Sequence, residues 1–208
     1  MQNVRSPDVA KTQGAQRPKP GERRLQILQA LATMLEQPGG ERITTAALAA
    51  HLQVSEAALY RHFASKAQMF EALIDFIEQS VFGLLAQLGS DGQASTQRAG
   101  QMVNLLMKFA EKNRGMTRVM VGDALVFEHA RLQQRMNLFF DKFEAALKQC
   151  LRDGLVDADT PTPTLAQQVR AATLAAFALG RLQRYVRSGF KREPTEQLEL
   201  SLALLLHV

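Results

Sequence analysis

Between Arg42 and Lys66 the sequence sets hydroxyls, small residues, one carboxylate and several cations at spacings suited to gripping a nucleic-acid duplex. Thr44 or Thr45 can cap the first turn of a short helix, and Ser55 can cap a second. The first helix would turn Leu48, Ala49 and Leu52 inward. The second, from about Ser55 to Arg61, would bury Ala58 and Leu59 and leave Glu56, Ala57, Tyr60 and Arg61 on an outer surface. The Gln53-Val54 turn between them is short, as in a helix-turn-helix pair. Small residues at the start of the second helix let it sit deep in a major groove, where an alanine can meet a thymine methyl. The chemistry predicted here is recognition. The alternative is an ordinary helical hairpin whose Ser, Tyr and Arg are surface residues.

Catalytic and metal chemistry finds no matching constellation. His51, His62, His129 and His207 have no Cys or His companion at zinc-ligand spacing, and no His-Glu-x-x-His occurs. No Gly-rich phosphate loop or Gly-x-Ser-x-Gly elbow is present, and carboxylates such as Asp123 and Glu128 read as helix-surface groups. No enzyme activity, metal or cofactor is therefore expected. Phe139, Phe140, Met102, Met107, Met116 and Met120 can line an effector pocket or simply fill a core.

The elements that must position the reading residues are all helical. A first helix is predicted from Gly21-Glu22, burying Leu25, Leu28, Leu31, Ala32 and Leu35 and stopped by Pro38-Gly39-Gly40. Ser65-Lys66-Ala67-Gln68 is a capping box that opens a long helix to about Leu88, with Met69, Phe70, Leu73, Ile74, Ile77, Val81 and Leu84 at helical spacing. Gly89 to Ala94 reads as a loop. Helices then follow from Ser95 or Thr96 to Lys112, with a break at Asn113-Arg114-Gly115, from Thr117 to Glu128, and from His129 to Arg152, closed by Gly154. After Pro161 and Pro163 come a helix from Thr164 to Ser188 and a last helix after Pro194-Thr195. The expected organisation is a basic arm over residues 1–20, a helix-turn-helix domain over 21–66 and a helical regulatory and dimerisation domain over 67–208. Ala172, Ala176 and Gly180 of the penultimate helix and Leu198 and Leu202 of the last are predicted to form a homodimer through a four-helix bundle.

Charge placement agrees with a nucleic-acid partner. Residues 1–66 hold nine Lys or Arg against five Asp or Glu, and the remainder holds sixteen against fifteen, so most of the +5 excess lies in the reading part. An apolar share of 46% permits a large core. No run approaches the roughly 18 apolar residues of a membrane span, and no secretion signal is seen, so a cytoplasmic protein without a membrane partner is expected. The lone Cys150 reads as a buried thiol.

The N-terminal three-helix unit, Tyr60-Arg61-His62-Phe63 and Ser65-Lys66 resemble the TetR family of bacterial DNA-binding dimers. Arg42-Ile43-Thr44-Thr45-Ala46, the run from Val54 to Phe63, Leu73 to Glu78, Phe127-Glu128 with Arg131-Leu132-Gln133, and Val186 to Lys191 resemble the nucleoid occlusion factors within it. The resemblance runs from about Arg23 to Thr195. It implies an all-α TetR-like fold, an N-terminal helix-turn-helix domain followed by a C-terminal dimerisation domain. It also implies a dimer on palindromic double-stranded DNA, associated with the nucleoid, that antagonises the division protein FtsZ. The DNA role carries over to Thr44, Thr45, Ser55, Glu56, Ala57, Tyr60, Arg61, His62 and Lys66. The FtsZ-facing role carries over to Phe76, Leu105, Lys108, Lys112 and Asn113. The sequence departs from the family pattern at Gln53, where the turn usually has Gly at a positive φ, at Leu84 in place of a basic residue, and at Arg114 in place of a Pro.

Two functions compete at this point. One is a DNA-activated inhibitor of FtsZ assembly, for which no small-molecule effector is expected; the other is a ligand-responsive repressor of ordinary TetR type. Phe76, flanked by Asp75 and Glu78 and off the main apolar stripe, together with Lys108, Lys112 and Arg114, offers an aromatic anchor beside positive charge for an acidic peptide.

Overall fold

Three short-range caps build the N-terminal head. In the computed structural model, which describes residues 21–37, 42–89, 94–153 and 165–206, α1 (Glu22–Glu36) is followed by α2 (Thr45–His51) and α3 (Glu56–Tyr60). The Thr44 side chain accepts from the Ala47 N–H at 3.1 Å, and the Ser55 side chain from the Ala58 N–H at 3.2 Å. Each satisfies a donor that the first helical turn leaves open. Gln53 adopts a left-handed φ of 56° between the two helices, the conformation expected of the family's glycine. Leu25, expected inside, is 44% exposed; Ile27 and Ala30 take its place beside Leu31, Ala32 and Leu35.

The long α4 (Lys66–Ala86) leads from the head into the body. Ser65 caps it through the Gln68 N–H, and the Gln68 side chain returns the bond to the Ala64 N–H at 2.9 Å. Met69, Leu73, Ile74, Ile77 and Val81 lose all solvent contact; each such burial stabilises by about 1.5–3 kcal/mol. Leu84, expected on this stripe, faces outward, and Leu85 is buried in its stead.

The body comprises α5 (Ser95–Lys112), α6 (Arg114–Met120), a 3₁₀ turn at Asp123–Leu125, α7 (Ala130–Asp153), α8 (Leu165–Arg187) and α9 (Leu198–Leu206). The helix expected from Thr117 to Glu128 is instead the short α6 plus that turn, and the chain bends at Asn113 alone. Gly115 lies inside α6 because α1 passes so close that a Cβ there would stand 1.9 Å from the Ala32 carbonyl oxygen. Thr117, fully buried, gives its hydroxyl to the Ala110 carbonyl at 2.9 Å and so ties α6 to α5.

Helix α7 packs along α8 and runs parallel to α4, joined to it by an ion-pair ladder: Arg131 to Glu71 at 2.7 Å, Arg135 to Asp75 at 2.7 Å and to Glu78 at 3.2 Å, and Lys142 to Glu78 at 3.4 Å. The hydrogen bond to Asp75 is the main cause that raises the Arg135 guanidinium pKa further. Phe139, Met102, Met107 and Met120 fill the core, with Phe140 and Met116 half-buried against it. Cys150 is buried, its Sγ 3.6 Å from the Ser95 carbonyl oxygen, and desolvation pushes its thiol pKa up. Among the described residues no helix is long and apolar enough to cross a membrane. The basic arm over 1–20, the Pro38-Gly39-Gly40 stop, most of the Gly89–Ala94 loop, Gly154 and His207 lie outside the described residues.

Candidate nucleic-acid interface

One face of α2 and α3 is built for contact with a large polar surface. Leu48, Ala49, Leu59 and Phe63 bury the opposite face, which leaves Thr44, Ser55, Glu56, Ala57, Tyr60 and Arg61 exposed at the start and outer side of the two helices. Tyr60 is 45% exposed, unusual for a large aromatic with a buried core at hand. The Thr45 hydroxyl donates to Glu56 Oε2 at 2.6 Å, so the first carboxylate of the reading helix is oriented from α2. A helix of this kind, with small and polar residues at its N-terminal end, presents those residues to base edges in a major groove.

Two residues expected at this face are held elsewhere. His62 is half-buried, and its carbonyl accepts from the Arg24 guanidinium, which also lies 4.1 Å over the Phe63 ring. Lys66 is not free: its Nζ pairs with Glu128, which comes from the chain just before α7. Beside it, Arg42 lies 4.1 Å over the ring of Phe127, an aromatic 59% exposed. Adjacent residues Phe127 and Glu128 thus hold two cations of the head. No local pattern signals this, since Lys66 and Glu128 are 62 positions apart.

A second face lies along α4 and α5, which pack together. Phe76 is 39% exposed on α4, and Lys108 and Lys112 are exposed on α5. Leu105 is half-buried against the core, and the Asn113 amide donates to the Phe109 carbonyl at 2.7 Å. Arg114 turns away from this group, its Nε 3.2 Å from the Tyr185 hydroxyl and its guanidinium 5.8 Å from the Phe190 ring.

The expected bundle surface needs a correction on α9. Ala172, Ala176 and Gly180 do form an exposed small-residue face on α8, and a Cβ at Gly180 would meet nothing within 4 Å. Leu198 and Leu202 are instead 3% and 8% exposed, turned inward with Leu206. Gly100 of α5 makes the room: a Cβ there would already stand 3.4 Å from Leu206 and 3.8 Å from Leu202. The α9 leucines left outside are Leu200, 70% exposed, and Leu204, 83% exposed.

Comparison with known proteins places this arrangement. Residues 27–73 match the model for bacterial regulatory proteins of the tetR family, and residues 93–207 match an SlmA-like model described as a tetracyclin repressor-like C-terminal domain. The nucleoid occlusion factor SlmA of Idiomarina loihiensis is 48% identical, over 84% of this chain and 88% of its own. That of Aliivibrio fischeri is 46% identical, over 90% of this chain and 96% of its own. The chain belongs to the SlmA family of TetR-type regulators.

Membership in the SlmA family makes it a DNA-binding nucleoid occlusion factor and not an enzyme. Solved TetR-type regulators share the fold at much lower identity. The Bacillus subtilis regulator FadR, in complex with stearoyl-CoA, superposes with a TM-score of 0.70 at 13% identity, covering 88% of this chain and 97% of its own. A Rhodococcus transcriptional regulator does so with a TM-score of 0.70 at 20% identity, covering 88% and 93%.

Proposed function

We propose that the chain acts as a homodimer on palindromic chromosomal sites and, when DNA-bound, antagonises FtsZ assembly so that no septum forms over the nucleoid. Thr44, Thr45, Ser55, Glu56, Ala57, Tyr60 and Arg61 read and grip the duplex, with the His62 backbone carbonyl fixing the end of the reading helix. Lys66 joins them when it leaves Glu128. Ala172, Ala176 and Gly180 with Leu200 and Leu204 form the dimer face, since two exposed leucines on α9, 70% and 83% exposed, would gain by being covered. Phe76, Leu105, Lys108, Lys112 and Asn113 take the FtsZ tail, the aromatic as anchor and the lysines as counter-charge.

What carries this reading is the identity of nearly half, over more than four fifths of the chain, to relatives named for nucleoid occlusion. Its support in the fold is that the exposed residues of the reading helices lie on α2 and α3 whereas Phe76, Lys108 and Lys112 are exposed on α4 and α5, so that the two partners would call on different helices. An ordinary ligand-responsive repressor is the second reading, favoured by an apolar recess of about 580 Å³ between α5 and α9 lined by Gln97, Gly100, Asn104, Leu198 and Leu202.

Sedimentation of FtsZ polymers with the chain and its operator DNA separates the two. The parent should deplete polymers when DNA is present. Phe76→Ala with Lys112→Glu should abolish this while operator affinity stays within about threefold, because neither residue lies on the reading face. A parent that never affects FtsZ would transfer the conclusion to the repressor.

A further inference from the structure

The end of α8 and the start of α9 enclose a polar recess of about 670 Å³, lined by Arg181, Arg184, Lys191, Arg192, Glu193, Glu196 and Gln197. Its cations are unbalanced. Among the described residues, no ion pair or hydrogen bond engages the charged groups of Arg184, Lys191 or Arg192, although two glutamates share the lining. Arg181 is fixed instead to backbone and hydroxyl oxygens, Nη1 to the Glu196 carbonyl at 2.6 Å and Nη2 to Ser201 Oγ at 2.8 Å. Burial first, and then Arg184, lower its guanidinium pKa, while Glu196 opposes them.

The recess is also held in shape at some expense of backbone comfort. Ser188 Oγ accepts the N–H groups of Lys191 at 3.1 Å and Arg192 at 2.9 Å. Phe190, at a left-handed φ of 63°, sets its ring edge-on to Tyr185 at 5.1 Å. Gln197, in the lining itself, has a φ of 51°. Of three non-glycine residues with positive φ among those described, one makes the turn between the reading helices and the other two flank this recess. Such strain persists where the surroundings over-determine it, and it clusters at binding sites.

We infer that this recess is a second protein-docking site, which takes an extended acidic peptide. Guanidinium forks of Arg184 and Arg192 suit carboxylates in bidentate pairing, with Lys191 as a mobile third charge. The glutamates decide the class of ligand. A phosphodiester backbone or a polyphosphate has acceptors alone and offers no donor to Glu193 and Glu196. A peptide alternates its carboxylates with backbone N–H groups, for which Glu193, Glu196 and Gln197 are acceptors. The site is distinct from the α4–α5 surface and does not rest on the FtsZ reading.

The test uses the full-length chain and a fluorescein-labelled eight-residue peptide of alternating Asp and Ser, followed by anisotropy at low salt. Arg184→Gln with Arg192→Gln should weaken binding about tenfold or more, with operator affinity unchanged as the measure of an intact fold. Lys108→Glu with Lys112→Glu should leave it within about twofold. Peptide binding that ignores the first pair, or that is lost with the second, overturns the assignment. Displacement by tripolyphosphate or a non-operator duplex at lower concentration than by unlabelled peptide overturns it too, since the recess would then be a phosphate site.

Discussion

Lys66, the first residue of α4, is ion-paired with Glu128, whose side chain is only 9% exposed, so a cation at the edge of the DNA-reading face is held by the body of the protein. Were Lys66 to take a duplex phosphate, as proposed, it would have to leave Glu128, in the segment that precedes α7, where Phe127 also carries Arg42.

Glu128→Gln keeps the shape and removes the competing charge. Binding to non-operator duplex should tighten and the slope of log affinity against log salt should steepen by roughly 0.9, the signature of one added phosphate contact. Filter-binding titrations at four salt concentrations would measure it, and an unchanged slope would remove Lys66 from the interface.

Grip and specificity should separate within the reading helix. Arg61→Ala is expected to weaken all duplexes alike and flatten the same slope by roughly 0.9. Thr45→Val frees the Glu56 carboxylate from its 2.6 Å hydrogen bond, and the discrimination that a well-placed side chain gives, about 1–3 kcal/mol at one base pair, should fall. Thr45→Ser should retain it. Selection from random duplexes reads the result; the same preferred site from Thr45→Val as from the parent would mean that Glu56 reads no base.

Two leucines about 3 Å of helix rise apart should behave in opposite ways, the rise being about 1.5 Å per residue. Leu202→Asp buries a carboxylate against α5 and should destabilise the fold by about 3 kcal/mol or more. Leu204→Asp should leave the melting temperature of the monomer unit intact and shift sedimentation from dimer to monomer. A dimer that survives Leu204→Asp would place the two-fold contact elsewhere.

Burial raises the Cys150 thiol pKa, so the folded chain binds that proton more tightly than the unfolded chain. The associated stability is complete below the ordinary thiol range and is lost as pH rises through the raised value. Alkylation by iodoacetamide at pH 8 should accordingly be about tenfold slower in buffer than in urea, since the thiolate is the reactive form. Equal rates would show a thiol open to solvent.

The head was legible in the sequence because its information is local. Thr44, Ser55 and Ser65 each cap a helix within three residues of their own position, and the left-handed turn falls on Gln53 as the spacing requires. The body was less so, for two physical reasons. Helix α9 is leucine-rich on both faces, and periodicity cannot tell Leu198 and Leu202, covered by α5, from Leu200 and Leu204, which are not. Arg114-Gly115 read as a break because glycine disfavours helix, whereas the glycine is there for the close approach of α1, a fact of tertiary packing. The hold of Phe127 and Glu128 on the head was invisible for the same reason, being set by contacts across 62 residues of chain for Glu128 and across a longer stretch from Arg42 to Phe127.

No methyl group fits between Gly115 and the Ala32 carbonyl, so α1 of the head and α6 of the body meet backbone to backbone. In the proposed dimer a head packed so closely would tie the spacing of the two reading helices to the body, and the molecule would act as a ruler laid along the duplex. Inserting one base pair at the centre of an operator rotates one half-site by about a tenth of a helical turn, and binding should fall accordingly.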